Sequence, residues 1–354
     1  MKTKEHWLLP IIARKRNDLL SRAIRLFLFL PALVYRLVIA VRNWAYSTGV
    51  LTVNRTSVPV ISVGNLTTGG TGKTPIVMWL TQWLKPQCNT AIVSRGYRSL
   101  PGASNDEGME IARNSPNAIQ VQDKDRVAAA ESAISQLATA PLENSVIILD
   151  DGFQHRRLHR DLDIVLIDAT LPFGYGKLLP SGLLREPVNS LKRADAVVLT
   201  RANLVPQQTR DSLRTRVSKV NPDLVWAESE LACVNLLDVQ GRHSELSHLL
   251  EKRVVAFCGI GNPTGFIETL EREKLQPQQF LTFPDHHHYT PDDIDSIITA
   301  GQRNRCDAIL CTVKDLVKLP VDYAYPISIF AVQTEPQITV GKTEFCELIR
   351  TVIG

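Results

Sequence analysis

The segment VPVISVGNLTTGGTGKTPIVMWL, residues 58–80, decides the fold of this chain. It is typical of a β-branched strand, a Gly-rich turn that ends in Gly72-Lys73-Thr74, and an amphipathic helix. Successive backbone N–H groups in such a turn can point inward together only where no Cβ obstructs them. The helix near Pro75 adds the positive end of its dipole, and proline suits a first turn because its missing N–H needs no partner. The segment therefore predicts a loop that binds the phosphates of a nucleoside triphosphate.

Within that loop, Lys73 is expected to reach the β- and γ-phosphates, and the Thr74 hydroxyl is expected to bind Mg²⁺. The pattern G-x-x-x-x-G-K-[ST] is incomplete here, because its first glycine position is occupied by Thr67. We expect the nearby glycines to take over that conformational role. The expected nucleotide-binding residues are Thr68, Gly69, Gly70, Thr71, Gly72, Lys73 and Thr74. The alternative is a Gly-rich turn that serves packing only.

The chain as a whole has the composition of an ordinary enzyme, with 354 residues, 44% hydrophobic and 21% charged. Short β-branched runs alternate with helical stretches, which predicts an α/β fold: a mostly parallel, P-loop NTPase-like sheet flanked by helices, with a second, smaller α/β domain. The predicted divisions are a membrane-associated helical segment, an ATP-binding core and the smaller domain, at residues 1–50, 51–230 and 231–354. The six cysteines show no zinc-ligand spacing and indicate reduced core residues.

An apolar stretch near the N-terminus, LFLFLPALVYRLVIAV at residues 26–41, has basic residues on both sides. It contains Pro31 and Arg36 and is shorter than the ~20 residues that a spanning helix needs. We expect it to lie in a membrane interface or to span marginally, because anionic lipid attracts each nearby Lys or Arg by about 1 kcal/mol. No small-residue cleavage site follows, so the catalytic body is expected to stay in the cytoplasm. The alternative is a helix that covers the protein core.

Polar residues follow several of the predicted strands, and parallel strands bring their carboxyl ends to one crevice where ligands bind. These residues are Ser94-Arg95-Gly96, Asp150-Asp151-Gly152, Asp168 and Thr200-Arg201. A P-loop enzyme keeps a carboxylate for Mg²⁺ at the end of such a strand, so Asp150 or Asp151 is the expected partner of Thr74. The side chains of these neighbours point to opposite faces if the strand continues, and a turn capped by the aspartates is the alternative reading.

The loop PFGYGKLLPSGLLREP, residues 172–187, lies between two predicted strands. Long loops of this composition inside compact α/β domains are usually functional. Arg185 is a candidate for stabilising charge on a transferred phosphoryl group. An ion pair with Glu186 or with another carboxylate is the alternative.

Three consecutive histidines occur in FPDHHHY, residues 283–289. On a strand they cannot all face one metal, because neighbouring side chains diverge. A single histidine paired with a carboxylate that accepts a hydroxyl proton is expected instead, and a core histidine is the alternative.

Together and in this order, these segments resemble one family, the tetraacyldisaccharide 4′-kinases of the lipid A pathway. The resemblance runs from about residue 15 to the C-terminus, and its most specific matches are SVGNLTTGGTGKTP, IVSRGYR, DDGFQHRRLHRDLDI, LLPSGLLREP, RADAVVLTR, FPDHHHY and TVKDLVKL. It implies transfer of the ATP γ-phosphoryl group to the 4′-hydroxyl of a tetraacyl glucosamine disaccharide 1-phosphate at the cytoplasmic face of the inner membrane. A lipid substrate also accounts for the basic, apolar N-terminal segment.

The resemblance also implies roles for individual residues. The family's G-D-E-P-like segment matches Ser104-Asn105-Asp106-Glu107-Gly108, which departs from the pattern at its Gly and Pro positions. Asp106 becomes the general base, paired with His286, and the expected catalytic residues are Asp106, His286, Lys73 and Arg185. The expected substrate-binding residues are Asn65, Glu107, Gln154 and His155. ATP and Mg²⁺ are the implied cofactors, and the implied partners are the lipid-linked disaccharide and the bacterial inner membrane surface, with no nucleic acid and a monomeric chain.

Two other functions remain open on the sequence. One is another small-molecule kinase or ATP-dependent ligase that docks on membranes, and the other is a membrane-associated GTPase or ATPase switch. A guanine-binding protein usually carries N-K-x-D or T-K-x-D after a strand. The nearest candidate, Thr312-Val313-Lys314-Asp315, has the wrong spacing.

Overall fold

The computed structural model of the chain describes residues 8–95, 118–139, 144–285 and 287–353. The chain forms two compact units: unit 1 comprises Met1–Glu230 and Ile338–Gly354, and unit 2 comprises Leu231–Gln337. Strands β7 (Val225–Asp238) and β12 (Ser328–Val340) contain the two points at which the chain passes from one unit to the other.

Unit 1 is built on a sheet whose strands lie in the order β7-β6-β5-β1-β4-β2-β3. Each neighbouring pair is parallel, which confirms the predicted fold class. The other strands are β1 (Val60–Asn65), β2 (Asn89–Ser94), β3 (Ile119–Gln122), β4 (Ser145–Asp150), β5 (Leu162–Asp168) and β6 (Ala196–Thr200). Every residue of β1, β5 and β6 is buried, as expected where helices cover both faces of a parallel sheet.

Helices cover the two faces of this sheet because alternate strand residues point to opposite sides. Ile164 and Leu166 pack in one core with helices α3 (Lys73–Leu84) and α9 (Lys342–Ile353). On the other face, Val165 packs with α5 (Gln207–Ser218), and Ile147 packs with α4 (Arg126–Leu137). Short 3₁₀ helices occur at Gly174–Gly176, Val188–Arg193, Ala202–Leu204 and Leu246–Leu249.

The C-terminal helix α9 joins the core of unit 1. Phe345 and Ile349 are fully buried there, together with Ile76 and Leu80 of α3. The predicted division at residues 231–354 placed this helix with the smaller domain, because an amphipathic pattern shows that a helix has a buried face but not which sheet that face covers. The predicted division into domains stays a prediction.

Unit 2 has strands in the order β10-β9-β11-β12, all paired in parallel. The strands not yet named are β8 (His243–Ser244), β9 (Val254–Cys258), β10 (Phe280–Thr282) and β11 (Ala308–Thr312), and β8 pairs antiparallel with β7. The helices are α6 (Pro263–Arg272), α7 (Pro291–Arg303) and α8 (Val313–Leu316). Helix α7 begins with a capping box between Thr290 and Asp293. The smaller α/β unit that the sequence predicts is therefore present.

Two helices precede the sheet, α1 (Leu8–Ile12) and α2 (Leu19–Ser47). Helix α2 has 29 residues and contains the whole apolar stretch at 26–41, with Asp18 as its side-chain cap and polar residues at both ends. Its most apolar window has a mean hydropathy of 2.1 and is only 6% buried. By length and composition, α2 is able to cross a membrane.

The packing of α9 leads to a test of stability. Phe345→Ala should lower the free energy of unfolding by about 3–5 kcal/mol, because it removes a fully buried ring and leaves a cavity. Glu347→Ala, an exposed position on the same helix, is the matched control and should change stability little. Urea unfolding followed by circular dichroism measures both. Equal stability of the two variants would contradict the burial of α9 in unit 1.

Candidate active site

The Gly-rich loop, residues 66–72, connects β1 to α3 in unit 1. Gly69 and Gly72 have φ angles of 114° and 80°, which side chains with a Cβ rarely adopt. A Cβ placed on Gly69 or Gly70 would meet no atom within 4 Å, so one side of the loop is open. Helix α3 begins at Lys73, directly after Gly72, and Pro75 lies in its first turn. The N–H groups and the positive end of the helix thus meet at one open place.

Two strands hold the Gly-rich loop through Thr71, which is only 3% exposed. The Asn65 side-chain amide, at the end of β1, donates to the Thr71 hydroxyl at 2.7 Å. The Thr200 hydroxyl, at the end of β6, donates to the Thr71 carbonyl at 2.9 Å. Thr200 therefore lies where the strand-end pattern predicted. Asn65 is fully buried and holds the loop through its hydrogen bond to Thr71. Its contact with substrate, which the resemblance implied, stays a prediction.

Three charged side chains from distant parts of the sequence meet beside the loop. Arg185 donates through Nη1 to both carboxylate oxygens of Asp151, each at 2.9 Å. The Lys73 ammonium lies 3.6 Å from the Asp151 carboxylate. The structure therefore brings together Lys73, Arg185 and Asp151, which the sequence selected separately. Arg185 pairs with Asp151 and not with its neighbour Glu186.

The charge state of Asp151 follows from these contacts. Burial alone would raise the pKa of the Asp151 carboxyl, but the positive charges of Lys73 and Arg185 hold that pKa below its ordinary value. Asp151 is therefore an anion at neutral pH. Its backbone has a φ of 53°, which turns the chain sharply directly after β4.

The segment that carries Arg185 runs beside the Gly-rich loop. The Arg185 N–H donates to the Leu66 carbonyl at 2.7 Å, and the Thr68 N–H donates to the Leu183 carbonyl at 2.8 Å. The Gln154 side chain donates to the Asn65 carbonyl at 2.7 Å and accepts from Arg185 at 3.4 Å. Gln154 thus connects the arginine to the end of β1 in this structure.

His155 lies in the turn that follows Asp151, and its Nε2 atom is buried without a hydrogen-bond partner among the described residues. Burial lowers the pKa of His155 to about 4, and the positive charges of Arg126 and Arg160 add to that effect. The imidazole is therefore neutral at physiological pH. Arg126 is only 5% exposed and donates to the Asp150 carbonyl at 3.2 Å. The sequence did not single out Arg126, because an arginine at the start of a helix usually faces solvent.

The remaining predicted residues divide into two groups. Asp106, Glu107 and His286 lie outside the described residues. Asp168 accepts hydrogen bonds from Thr170 and forms an ion pair with Arg201, so its carboxylate holds a turn in place.

The donor chemistry of the site suits a hard divalent cation. Among the described residues, no group of three or more His, Cys, Asp or Glu could hold a metal ion. Mg²⁺ is usually held by one or two carboxylates with water and substrate phosphates, so such a group is not needed. Oxygen ligands of the required kind are present on the Thr74 hydroxyl, on Asp150 at the end of β4 and on its neighbour Asp151. Either aspartate is a candidate ligand of the metal.

Comparison with known proteins gives matches along nearly the whole chain. A model of the family described as Tetraacyldisaccharide-1-P 4′-kinase matches residues 24–354. The Tetraacyldisaccharide 4′-kinase of Halothermothrix orenii is 32% identical over 345 residues, covering 91% of this chain and 90% of the relative. The protein of the same name from Geobacter sulfurreducens is 36% identical over 333 residues, covering 89% of this chain and 90% of the relative.

A solved structure is similar over a comparable length. A crystal structure of LpxK from Aquifex aeolicus in complex with ATP matches with a TM-score of 0.71 and 30% sequence identity. The match covers 94% of this chain and the whole of that chain (100%).

The burial of His155 leads to a test of pH dependence. Between pH 6.5 and about 4, the unfolded chain binds a proton at this histidine that the folded protein does not bind. His155 therefore opposes folding increasingly as the pH falls through that window, and its cost is absent above pH 6.5. His155→Gln should reduce the loss of stability between pH 7 and pH 4, measured by thermal unfolding at several pH values.

The control for this test is His248→Gln, at an exposed position in unit 2, which should keep the wild-type pH dependence. An identical loss of stability in His155→Gln and in the wild type would show that His155 is not buried as a neutral group.

Proposed function

The chain belongs to the Tetraacyldisaccharide-1-P 4′-kinase family, and from that premise we propose that it transfers the γ-phosphoryl group of ATP to the 4′-hydroxyl of tetraacyldisaccharide 1-phosphate, a step of lipid A biosynthesis. The observation that carries this proposal is the meeting of Lys73 and Arg185 on Asp151, beside the open Gly-rich loop. In the proposed complex, a triphosphate on that loop would have its outer phosphates near both cations.

In the proposed complex, the N–H groups around the open glycines and the start of α3 bind the phosphates. Lys73 and Arg185 neutralise the charge that builds on the γ-phosphoryl oxygens during transfer. The ATP complex of the Aquifex aeolicus protein supports the choice of nucleotide. Thr74 with Asp150 or Asp151 would hold Mg²⁺, which would supply further positive charge to the transfer.

For the acceptor, we keep the roles that the family resemblance implies. Asp106 accepts the proton of the 4′-hydroxyl, and His286 orients that carboxylate. Glu107, Gln154 and His155 contact the disaccharide. Asn65 contributes through the Gly-rich loop, which it positions by its hydrogen bond to Thr71. His155 suits this role, because the Nε2 atom of a neutral imidazole can donate to or accept from a sugar hydroxyl, and this atom has no partner among the described residues.

We propose that α2 places the enzyme on the cytoplasmic face of the inner membrane, where its lipid substrate lies. Large apolar side chains are exposed along the helix: Leu19, Leu20, Leu26, Phe27, Phe29, Leu30, Leu33, Val34, Leu37, Val38, Val41 and Trp44. An apolar surface of this extent, with basic residues near the helix start, fits insertion into an anionic bilayer. A monomer with a membrane as its partner accounts for these features.

The contacts of Asp315, the aspartate of the T-K-x-D-like motif, argue against the alternative of a nucleotide switch. Asp315 is fully buried in unit 2 and accepts hydrogen bonds from the Tyr289 hydroxyl at 2.8 Å and the Gly259 N–H at 3.1 Å. The Thr312 hydroxyl donates to the other Asp315 oxygen at 2.6 Å. Both oxygens of this carboxylate therefore already accept hydrogen bonds within unit 2, whereas a guanine-binding aspartate needs free oxygens.

The direct test is incubation of the purified protein with ATP, Mg²⁺ and tetraacyldisaccharide 1-phosphate in mixed micelles. Mass spectrometry should find a lipid product that is heavier by one phosphate, and ATP should serve better than GTP. Nucleotide hydrolysis without any phosphorylated lipid would support a switch and refute the kinase.

The cationic pair leads to a second test. Lys73→Ala and Arg185→Ala should each lower kcat by about 10²–10⁴-fold, because each removes charge that stabilises the transferred group. Lys85→Ala, at the exposed end of α3, is the matched control and should keep the wild-type rate. Initial rates and thermal unfolding of all variants separate a loss of catalysis from a loss of fold. Near-normal turnover in either site variant would remove that residue from the mechanism.

A further inference from the structure

The segment that carries Arg185 contacts α2 as well as the Gly-rich loop. We call residues 181–186 the strap. The Tyr35 hydroxyl on α2 donates to the Arg185 carbonyl at 2.9 Å. About two turns nearer the start of α2, the Leu28 carbonyl accepts from the Ser181 hydroxyl at 2.8 Å. The helix therefore holds the strap at two separate places.

Glu186 gives the strap a third contact with α2. Its side chain is fully buried, and a buried carboxylate is stable only if several donors surround it. Arg42 and Asn43 of α2 donate to its two oxygens at 3.1 and 3.0 Å. Arg193 supplies the remaining donor at 3.0 Å. Two of these three donor residues belong to the helix that carries the lipid-facing surface.

Arg193 extends this cluster toward the site. Its guanidinium lies 3.8 Å from the centre of the Phe153 ring and donates to the Phe153 carbonyl at 3.1 Å. Phe153 is in the turn that follows Asp151. The same buried cluster thus contacts α2, the strap and the turn that carries the partner of Arg185.

Arg185 is consequently fixed from three directions. Its N–H bonds to Leu66 of the Gly-rich loop, its side chain bonds to Asp151, and its carbonyl accepts from Tyr35 of α2. A helix that served only to attach the protein to lipid would need no hydrogen bond to the backbone of this arginine.

We propose that α2 positions Arg185 for phosphoryl transfer, with Tyr35 and Glu186 as the positioning residues, in addition to its contact with the membrane. This inference rests on the proposed kinase function. Phosphoryl transfer depends mainly on placement of charge, and a misplacement of ~1 Å can cost ~10²-fold in rate. Loss of the Tyr35 hydrogen bond leaves the Arg185 side chain and its N–H bond to Leu66 in place but frees the Arg185 carbonyl.

The test uses Tyr35→Phe in the full-length protein, because this change removes only the hydroxyl. In the mixed-micelle assay, kcat should fall about 5- to 50-fold, while the KM for ATP, the melting temperature and binding to anionic phospholipid vesicles stay at wild-type values. Tyr46→Phe is the matched control on the same helix, since the Tyr46 hydroxyl makes no hydrogen bond to the described residues. It should keep the wild-type kcat.

A double-mutant cycle shows whether Tyr35 acts through the arginine. In an Arg185→Ala background, Tyr35→Phe should cause no further loss of kcat, because there is no guanidinium left to position. Glu186→Gln should retain partial activity and lower kcat with little change in KM, because it removes the charge but keeps the shape and one acceptor oxygen.

The outcomes separate the two proposals. A wild-type protein that phosphorylates no disaccharide refutes the proposed function itself. An active wild type with an unchanged kcat in Tyr35→Phe refutes the positioning role alone. The positioning role is equally refuted if Tyr35→Phe lowers kcat by the same factor with and without Arg185, or if kcat falls only together with vesicle binding.

Discussion

The site depends on one carboxylate, that of Asp151, which holds two cations close to each other. Lys73 comes from the start of α3 and Arg185 from a loop more than a hundred residues later, and their charges would repel without an anion between them. Asp151 is available for this role because the chain turns sharply directly after β4. That turn packs against β1 so closely that a Cβ on Gly64 would lie 2.6 Å from the Phe153 Cβ. Only glycine permits this approach.

Parallel sheet topology explains how such distant residues meet. Strand β1 lies between β4 and β5, so the Gly-rich loop and the aspartate turn leave neighbouring strands at the same edge. Strand β6 follows β5 and supplies Thr200 to the loop from the other direction. The backbone hydrogen bonds of the strap then bring Arg185 to that edge without any strand of its own.

Local signals in the sequence predicted much of this arrangement, whereas long-range pairing was not predictable. The strand, loop and helix around Lys73 follow from glycine, proline and β-branched residues, whose effects are local. The sequence did not identify the ion-pair partner of Arg185, because an ion pair between loops depends on the tertiary fold. The burial of Glu186 and Arg126 was likewise not predictable from the sequence, since charged residues are buried only where the fold supplies partners. The length of α2 was not predictable from its apolar stretch alone, because its polar ends lower the apolar signal without ending the helix.

The burial of Glu186 has a consequence for the preparation of this protein. Truncation before residue 48 is an obvious way to obtain a more soluble protein. It would remove the exposed apolar side chains of α2, but also Arg42 and Asn43, which donate to Glu186. Among the described residues, Glu186 would then keep only Arg193 as a donor. The deletion would also remove the contacts of α2 with the segment that presents Arg185, so we expect a truncated protein to lose activity as it gains solubility.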